Sequence, residues 1–142
     1  MTGQFTATGG DRMREKIIEA LLARAVGGRV SCAAAHDVAA RLGIPSLEVA
    51  RALNRTHLRF YRCQLGLFGY GPKPEGKHKI VLKANRVPEE IETAVMTRSE
   101  DRSISCKAAW ELAGEFEYPR LGIANILEAM GLKVRKCQLG CF

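Results

Sequence analysis

The chain has 142 residues, 46% of them hydrophobic and 26% charged, with a formal charge of +7. That length holds one ordinary domain or two very small ones and excludes a large catalytic architecture, since domains of about 100 to 150 residues are commonest; the apolar content excludes global disorder. No stretch approaches the ~20 apolar residues of a membrane span, and the polar start Met1 to Asp11 lacks a signal-peptide core, so a cytoplasmic protein with no membrane partner is expected.

In chain order, residues 1–11 are expected to be a flexible N-terminus. From Arg12 to Ala25, Ile17, Ile18, Leu21, Leu22 and Ala25 recur at near-helical spacing, and Gly27-Gly28 ends the pattern. Arg29-Val30 is short and extended in character. Ser31 then caps a second helix whose apolar stripe is Ala35, Val38, Ala39 and Leu42. Gly43-Ile44-Pro45 supplies a turn, and Pro45 or Ser46 opens a third helix with Val49, Ala50 and Leu53 facing inward. Leu58 to Leu65 and His78 to Lys83 read as strands around the glycine- and proline-rich stretch Gly66 to Gly76, which together predict a hairpin.

The remainder repeats the beginning. A shift of 74 positions aligns Ser31 to Phe68 with Ser105 to Phe142 without a gap, with 15 of the 38 pairs identical. Chance at roughly one match in twenty would give about two. Ser31-Cys32 matches Ser105-Cys106, Pro45 matches Pro119, and Cys63-Gln64-Leu65-Gly66 matches Cys137-Gln138-Leu139-Gly140. The register extends upstream, pairing Glu15, Ile17, Ala20 and Arg24 with Glu89, Ile91, Ala94 and Arg98. Two copies fall short of the three or more that a solenoid needs, so tandem small domains are expected.

The stretch Ala39-x-x-x-Gly43-x-x-x-x-x-Val49 resembles the helix-turn-helix signature, in which a small residue lets two helices cross closely and glycine turns the chain. With the first helix, the Arg29-Val30 strand and the hairpin, the order from Arg12 to Arg86 resembles the winged-helix superfamily. The resemblance implies a mainly α fold with a small β hairpin (α+β), in two tandem winged-helix-like units. Residues 12–86 would form the unit with a basic wing, and residues 87–142 a truncated unit without a full wing.

By that resemblance the third helix enters a major groove and presents Ser46, Arg51, Asn54 and Arg55, arginine being suited to guanine and asparagine to adenine. Arg59, Arg62, Lys73, Lys77, His78 and Lys79 would meet phosphates from the strand and wing, positioning the protein rather than specifying sequence. Glu48 stands on the same surface and opposes phosphate.

The second copy departs from this pattern. Glu117 replaces the turn glycine, Glu115 and Glu128 add acid, and only Arg120 and Asn125 remain as readers on its third helix. A packing or dimerisation role is therefore expected. Trp110, in the position of His36, either anchors an interface or covers the first unit, and apolar Cys141-Phe142 ends an unpaired edge that the first unit or a second copy of the chain would cover.

Cys32, Cys63, Cys106 and Cys137 are the ligand set that a zinc ion or iron-sulfur cluster would use. No Cys-x-x-Cys pair supports one, and Cys137-x-x-x-Cys141 has no counterpart at Leu67. The preferred reading is free thiols filling one packing niche in both copies, with no cofactor. Leu58 and Phe60 share a strand face that Cys63 and Leu65 do not, so a bulge or twist is expected near Arg62 and Lys136.

No paired carboxylates, phosphate-binding glycine loop or nucleophile elbow argues for an enzyme; Gly66-x-x-Gly69-x-Gly71 follows a strand without opening a helix. The leading expectation is a transcriptional regulator that binds double-stranded DNA through the first unit. A protein-interaction adaptor and a cysteine-based metal or redox sensor are the alternatives.

Overall fold

A computed structural model describes residues 9–70 and 79–141 as a mixture of helices and small parallel sheets. The chain divides into two units between Tyr61 and Arg62. Among the described residues no helix is long and apolar enough to cross a membrane.

Unit one runs α1 (Gly9–Arg24), β1 (Arg29–Ser31), α2 (Cys32–Leu42), α3 (Ser46–Leu53) and β2 (Arg59–Tyr61). The Ser31 hydroxyl caps α2 by accepting from the Ala34 N–H at 3.1 Å, which satisfies one of the amides a helix start leaves open. Gly43 ends α2 with φ 65°, its N–H reaching the Ala40 carbonyl and that of Ile44 the Ala39 carbonyl. This Schellman-type closure turns the chain into α3. The three helices pack around Ile17, Leu21, Ala35, Val38, Val49 and Leu53, with Val30 of β1 fully buried beside them. Strands β1 and β2 pair in parallel, Arg29 opposite Arg59.

Unit two repeats this plan with α4 (Glu89–Arg98), β3 (Ser103–Ser105), α5 (Cys106–Glu115), α6 (Arg120–Ala129) and β4 (Lys133–Arg135), β3 and β4 again parallel. The duplication reaches the backbone dihedrals. Left-handed residues recur at the same offset: Gly27 and Asp101, Gly28 and Arg102, Gly43 and Glu117, Arg62 and Lys136, Gly66 and Gly140. The twist expected at Arg62 and Lys136 is thus a left-handed residue, φ 52° and 53°, directly after each strand.

The expected hairpin does not form among the described residues. Of Leu58 to Leu65 only Arg59–Tyr61 is strand, and it pairs with β1 rather than with the segment from His78 to Lys83. His78 lies outside the described residues, and 79–83 hold no strand. The reason is burial: Val81 lies in the core of unit two with Cys63 and Leu65, a more favourable place for three apolar side chains than an exposed wing. The boundary accordingly falls at 61, where the sequence pattern placed it at 86.

Candidate functional site

The exposed side of α3 in unit one is set by the amphipathicity of that helix. Val49, Ala50, Ala52 and Leu53 face inward, so Leu47, Glu48, Arg51, Asn54 and Arg55 face solvent. Arg59 on β2 and its register partner Arg29 on β1 are exposed as well, the Arg29 guanidinium lying 4.8 Å from the Tyr61 ring centroid. Arg29 escaped the sequence reading, although the parallel pairing of β1 with β2 puts it beside Arg59.

Two internal contacts shape this face. Arg51 is ion-paired with Glu48 one turn earlier on α3, an exposed pair of the kind that contributes about 0 to 1 kcal/mol and opens readily. The Ser46 hydroxyl shares a 2.8 Å hydrogen bond with His36 Nδ1, tying the start of α3 to α2. Ser46 and His36 thus serve the α2–α3 corner. Between α1 and α3 a cleft of about 240 Å³ is lined by Arg14, Glu48, Arg51 and Arg55 over Ile17 and Ile44.

Five of the expected contact residues, Ser46, Arg51, Asn54, Arg55 and Arg59, therefore belong to unit one. Arg62 and Lys79 belong to unit two, where Lys79 Nζ is 3.5 Å from Glu128 Oε2. Lys73, Lys77 and His78 lie outside the described residues, as does Phe142.

The equivalent face of unit two is covered by its own chain. Asn125, in the position of Arg51, accepts the Leu82 N–H on its side-chain oxygen at 2.9 Å and the Ala84 N–H on its carbonyl at 3.0 Å. Glu128 stands where Asn54 does and takes Lys79. Gly122, in the position of Glu48, lies against the Tyr118 ring so closely that a Cβ there would sit 2.7 Å from it. Arg120 stacks 3.6 Å over Trp110 and donates to Gln64 Oε1 at 3.3 Å. Both expected readers of α6 are thus occupied within unit two, and Trp110 packs against the core of that unit.

The thiols separate in the same way. Cys32 is buried in unit one, whereas Cys63, Cys106, Cys137 and Cys141 all belong to unit two. Among the described residues no group of three or more Cys, His, Asp or Glu is arranged to hold a metal ion. Cys63 and Cys106 are buried, and burial pushes both thiols above their ordinary range. Cys137 is held low, at about 6, foremost by a hydrogen bond from the Cys141 thiol.

Comparison of the chain with protein-family models, with curated proteins and with solved structures returns no match. The functional reading therefore stands on the geometry and chemistry of the two units.

Proposed function

We propose that unit one binds double-stranded DNA through α3 and the β1–β2 pair, and that the chain is a transcriptional regulator. The observation that carries this reading is the exposure of Arg51, Asn54 and Arg55 on and just after α3 and of the register partners Arg29 and Arg59 on the strand pair, with Glu48 the one carboxylate on the exposed side of α3. A helix of eight residues following a helix and a tight turn is the arrangement that lays a recognition helix in a major groove. Guanidiniums at its end and on the adjoining strands suit the flanking phosphates, and counterion release supplies most of such affinity. Residues 1–61 carry nine Lys and Arg against five Asp and Glu.

Fluorescence anisotropy with a random duplex at low salt tests the reading. Replacing Arg51 and Arg55 together by alanine is expected to weaken binding by roughly tenfold or more and to flatten the salt dependence by about two phosphate contacts. Glu48→Gln should strengthen binding, because it removes both the competitor for Arg51 and a charge that repels phosphate. Absence of binding by the intact chain, or an affinity indifferent to the double substitution, would overturn the proposal. Capture of a stoichiometric protein partner without DNA affinity would favour the adaptor.

A further inference from the structure

We infer that the pocket at the end of α6 and the start of β4 in unit two is a binding site for a small aliphatic carboxylate. The alkyl body lies on a leucine-lined interior, and the carboxylate meets the ammonium groups of Lys79 and Lys133.

The pocket has a volume of about 380 Å³, close to the lower bound of about 300 Å³ for small-molecule sites, and so admits one small ligand. Its walls come from the second half of α6, from the turn into β4, and from Leu67 and Lys79 in the segment ahead of α4. Polarity changes with depth. Leu127 and Leu132 are buried and Leu67 and Val134 half-buried, whereas Lys79 and Lys133 are exposed and Glu128 is partly so. Among the described residues that line it there is no aromatic ring. The interior therefore gives an alkyl chain a place to leave water, and gives a nucleobase nothing to stack on.

Charge selects the head group. Lys79 Nζ stands 3.5 Å from Glu128 Oε2, farther than the ~2.7 to 2.9 Å of a full charge-assisted hydrogen bond, so the ammonium keeps donors for a second carboxylate. Among the described residues the Lys133 ammonium has no ion-pair or hydrogen-bond partner. The amides beside it are already paired: Gly131 N–H with the Glu128 carbonyl at 3.1 Å, Leu132 N–H with the Leu127 carbonyl at 3.0 Å, and Lys133 N–H with the Arg102 carbonyl at 3.1 Å. The two ammoniums are thus the charged donors that an incoming head group meets. Set against the single carboxylate of Glu128, they leave the rim one positive charge in excess. That is the complement of a monocarboxylate, and it repels an amine of the same shape.

The two copies differ at the residues that form the site. Asn54, Arg59 and Phe60 of unit one stand in the positions of Glu128, Lys133 and Val134. The shared frame already accommodates a phenyl ring at that strand position, which makes Val134→Phe a substitution that narrows the pocket without asking anything new of the backbone. All the lining residues belong to unit two, so the site stands or falls independently of DNA contact by α3.

The full-length chain, labelled with nitrogen-15, is titrated with hexanoate, and separately with hexanol and hexylamine as probes that share its alkyl body. Hexanoate is expected to shift the amide resonances of Leu67, Gly131, Leu132 and Lys133 saturably, with a Kd on the order of 1 mM for so small a ligand. Hexanol and hexylamine should bind at least about tenfold more weakly. Lys133→Ala should weaken hexanoate binding by roughly three- to fivefold, and Glu128→Gln should strengthen it by a similar factor by removing the competitor for Lys79. Val134→Phe should weaken it by about tenfold or more, while the amide spectrum away from the pocket stays as in the parent chain. Hexanol matching hexanoate would reduce the site to an apolar cleft and overturn the assignment. So would hexylamine binding more tightly than hexanoate, shifts that fail to saturate or spread over both units, or an affinity indifferent to Val134→Phe.

Discussion

The faces of α3 and α6 descend from one repeated segment and have opposite fates. Around α3, Glu48, Arg51, Asn54 and Arg55 are open to solvent; around α6, the equivalent Gly122 meets Tyr118, Asn125 holds the backbone of Leu82 and Ala84, and Glu128 holds Lys79. The frames beneath are the same, down to Ser31 and Ser105 capping at 3.1 Å and Pro45 and Pro119 preceding the third helix. Duplication has therefore kept the backbone solution and exchanged the side chains that decide what the surface meets. The lesson is that a repeat licenses transfer of architecture from one copy to the other, position by position, and not transfer of a binding site.

The largest expected effect tests how each unit ties its second helix to its third. Unit one uses the His36–Ser46 hydrogen bond, and unit two uses the stack of Arg120 on Trp110 at the same two positions. Trp110→Ala removes a large ring packed against the core and should destabilise unit two by about 3 kcal/mol. His36→Ala removes a single hydrogen bond and should destabilise unit one by about 1 kcal/mol. Hydrogen exchange resolved by helix separates the two, because loss of protection should be confined to α5 and α6 in the first variant and to α2 and α3 in the second. Equal losses would break the comparison.

A second substitution tests whether the covering of α6 is held from beneath. Gly66 has φ 74°, and a Cβ there would lie 2.6 Å from Leu121 Cδ1, 2.9 Å from Ile80 Cγ1 and 3.3 Å from Val81 Cγ2. Gly66→Ala combines a left-handed alanine with displaced side chains, at a cost of about 2 kcal/mol. The Ile80 N–H, which reaches the Gly66 carbonyl at 2.8 Å, and the Leu82 N–H on Asn125 should both exchange faster. Unchanged exchange at these amides would show that the segment 79–84 is held from elsewhere.

Much of this was legible in the chain itself. The offset of 74, the order of elements in each copy and the cap at Ser31 followed from identity and spacing, and the mismatch of strand parity between Phe60 and Cys63 located the left-handed Arg62. The destination of residues 62–87 was not legible. His78 to Lys83 carries the strand-forming run Ile80-Val81-Leu82, and a short apolar run records that a side chain is buried without recording in which core. The exposed side of α3 was legible, since Arg51, Asn54 and Arg55 face solvent as helical periodicity put them, whereas Arg62 and Lys79 followed the misplaced hairpin. Contacts between helices, such as His36 with Ser46, carry no periodic signal.

The smallest expected effect isolates a single backbone position at which the copies solve one problem with different residues. Gly43 and Glu117 end α2 and α5 with φ 65° and 49°, and the hydrogen bonds coincide: Gly43 to Ala40 and Ile44 to Ala39 in one copy, Glu117 to Gly114 and Tyr118 to Ala113 in the other. Left-handed backbone costs a residue with a Cβ roughly 1 to 2 kcal/mol, and glycine escapes that cost while losing more freedom on folding, by about 0.5 to 1 kcal/mol. Glu117 is exposed, and no other change accompanies its replacement. Glu117→Gly should therefore stabilise unit two by about 0.5 to 1 kcal/mol, and Gly43→Ala, whose Cβ meets nothing within 4 Å, should destabilise unit one by a similar amount. Denaturant unfolding with helix-resolved exchange measures both. Opposite signs of similar size would establish that the turn is the same conformation in both copies, with residue type alone setting its energy.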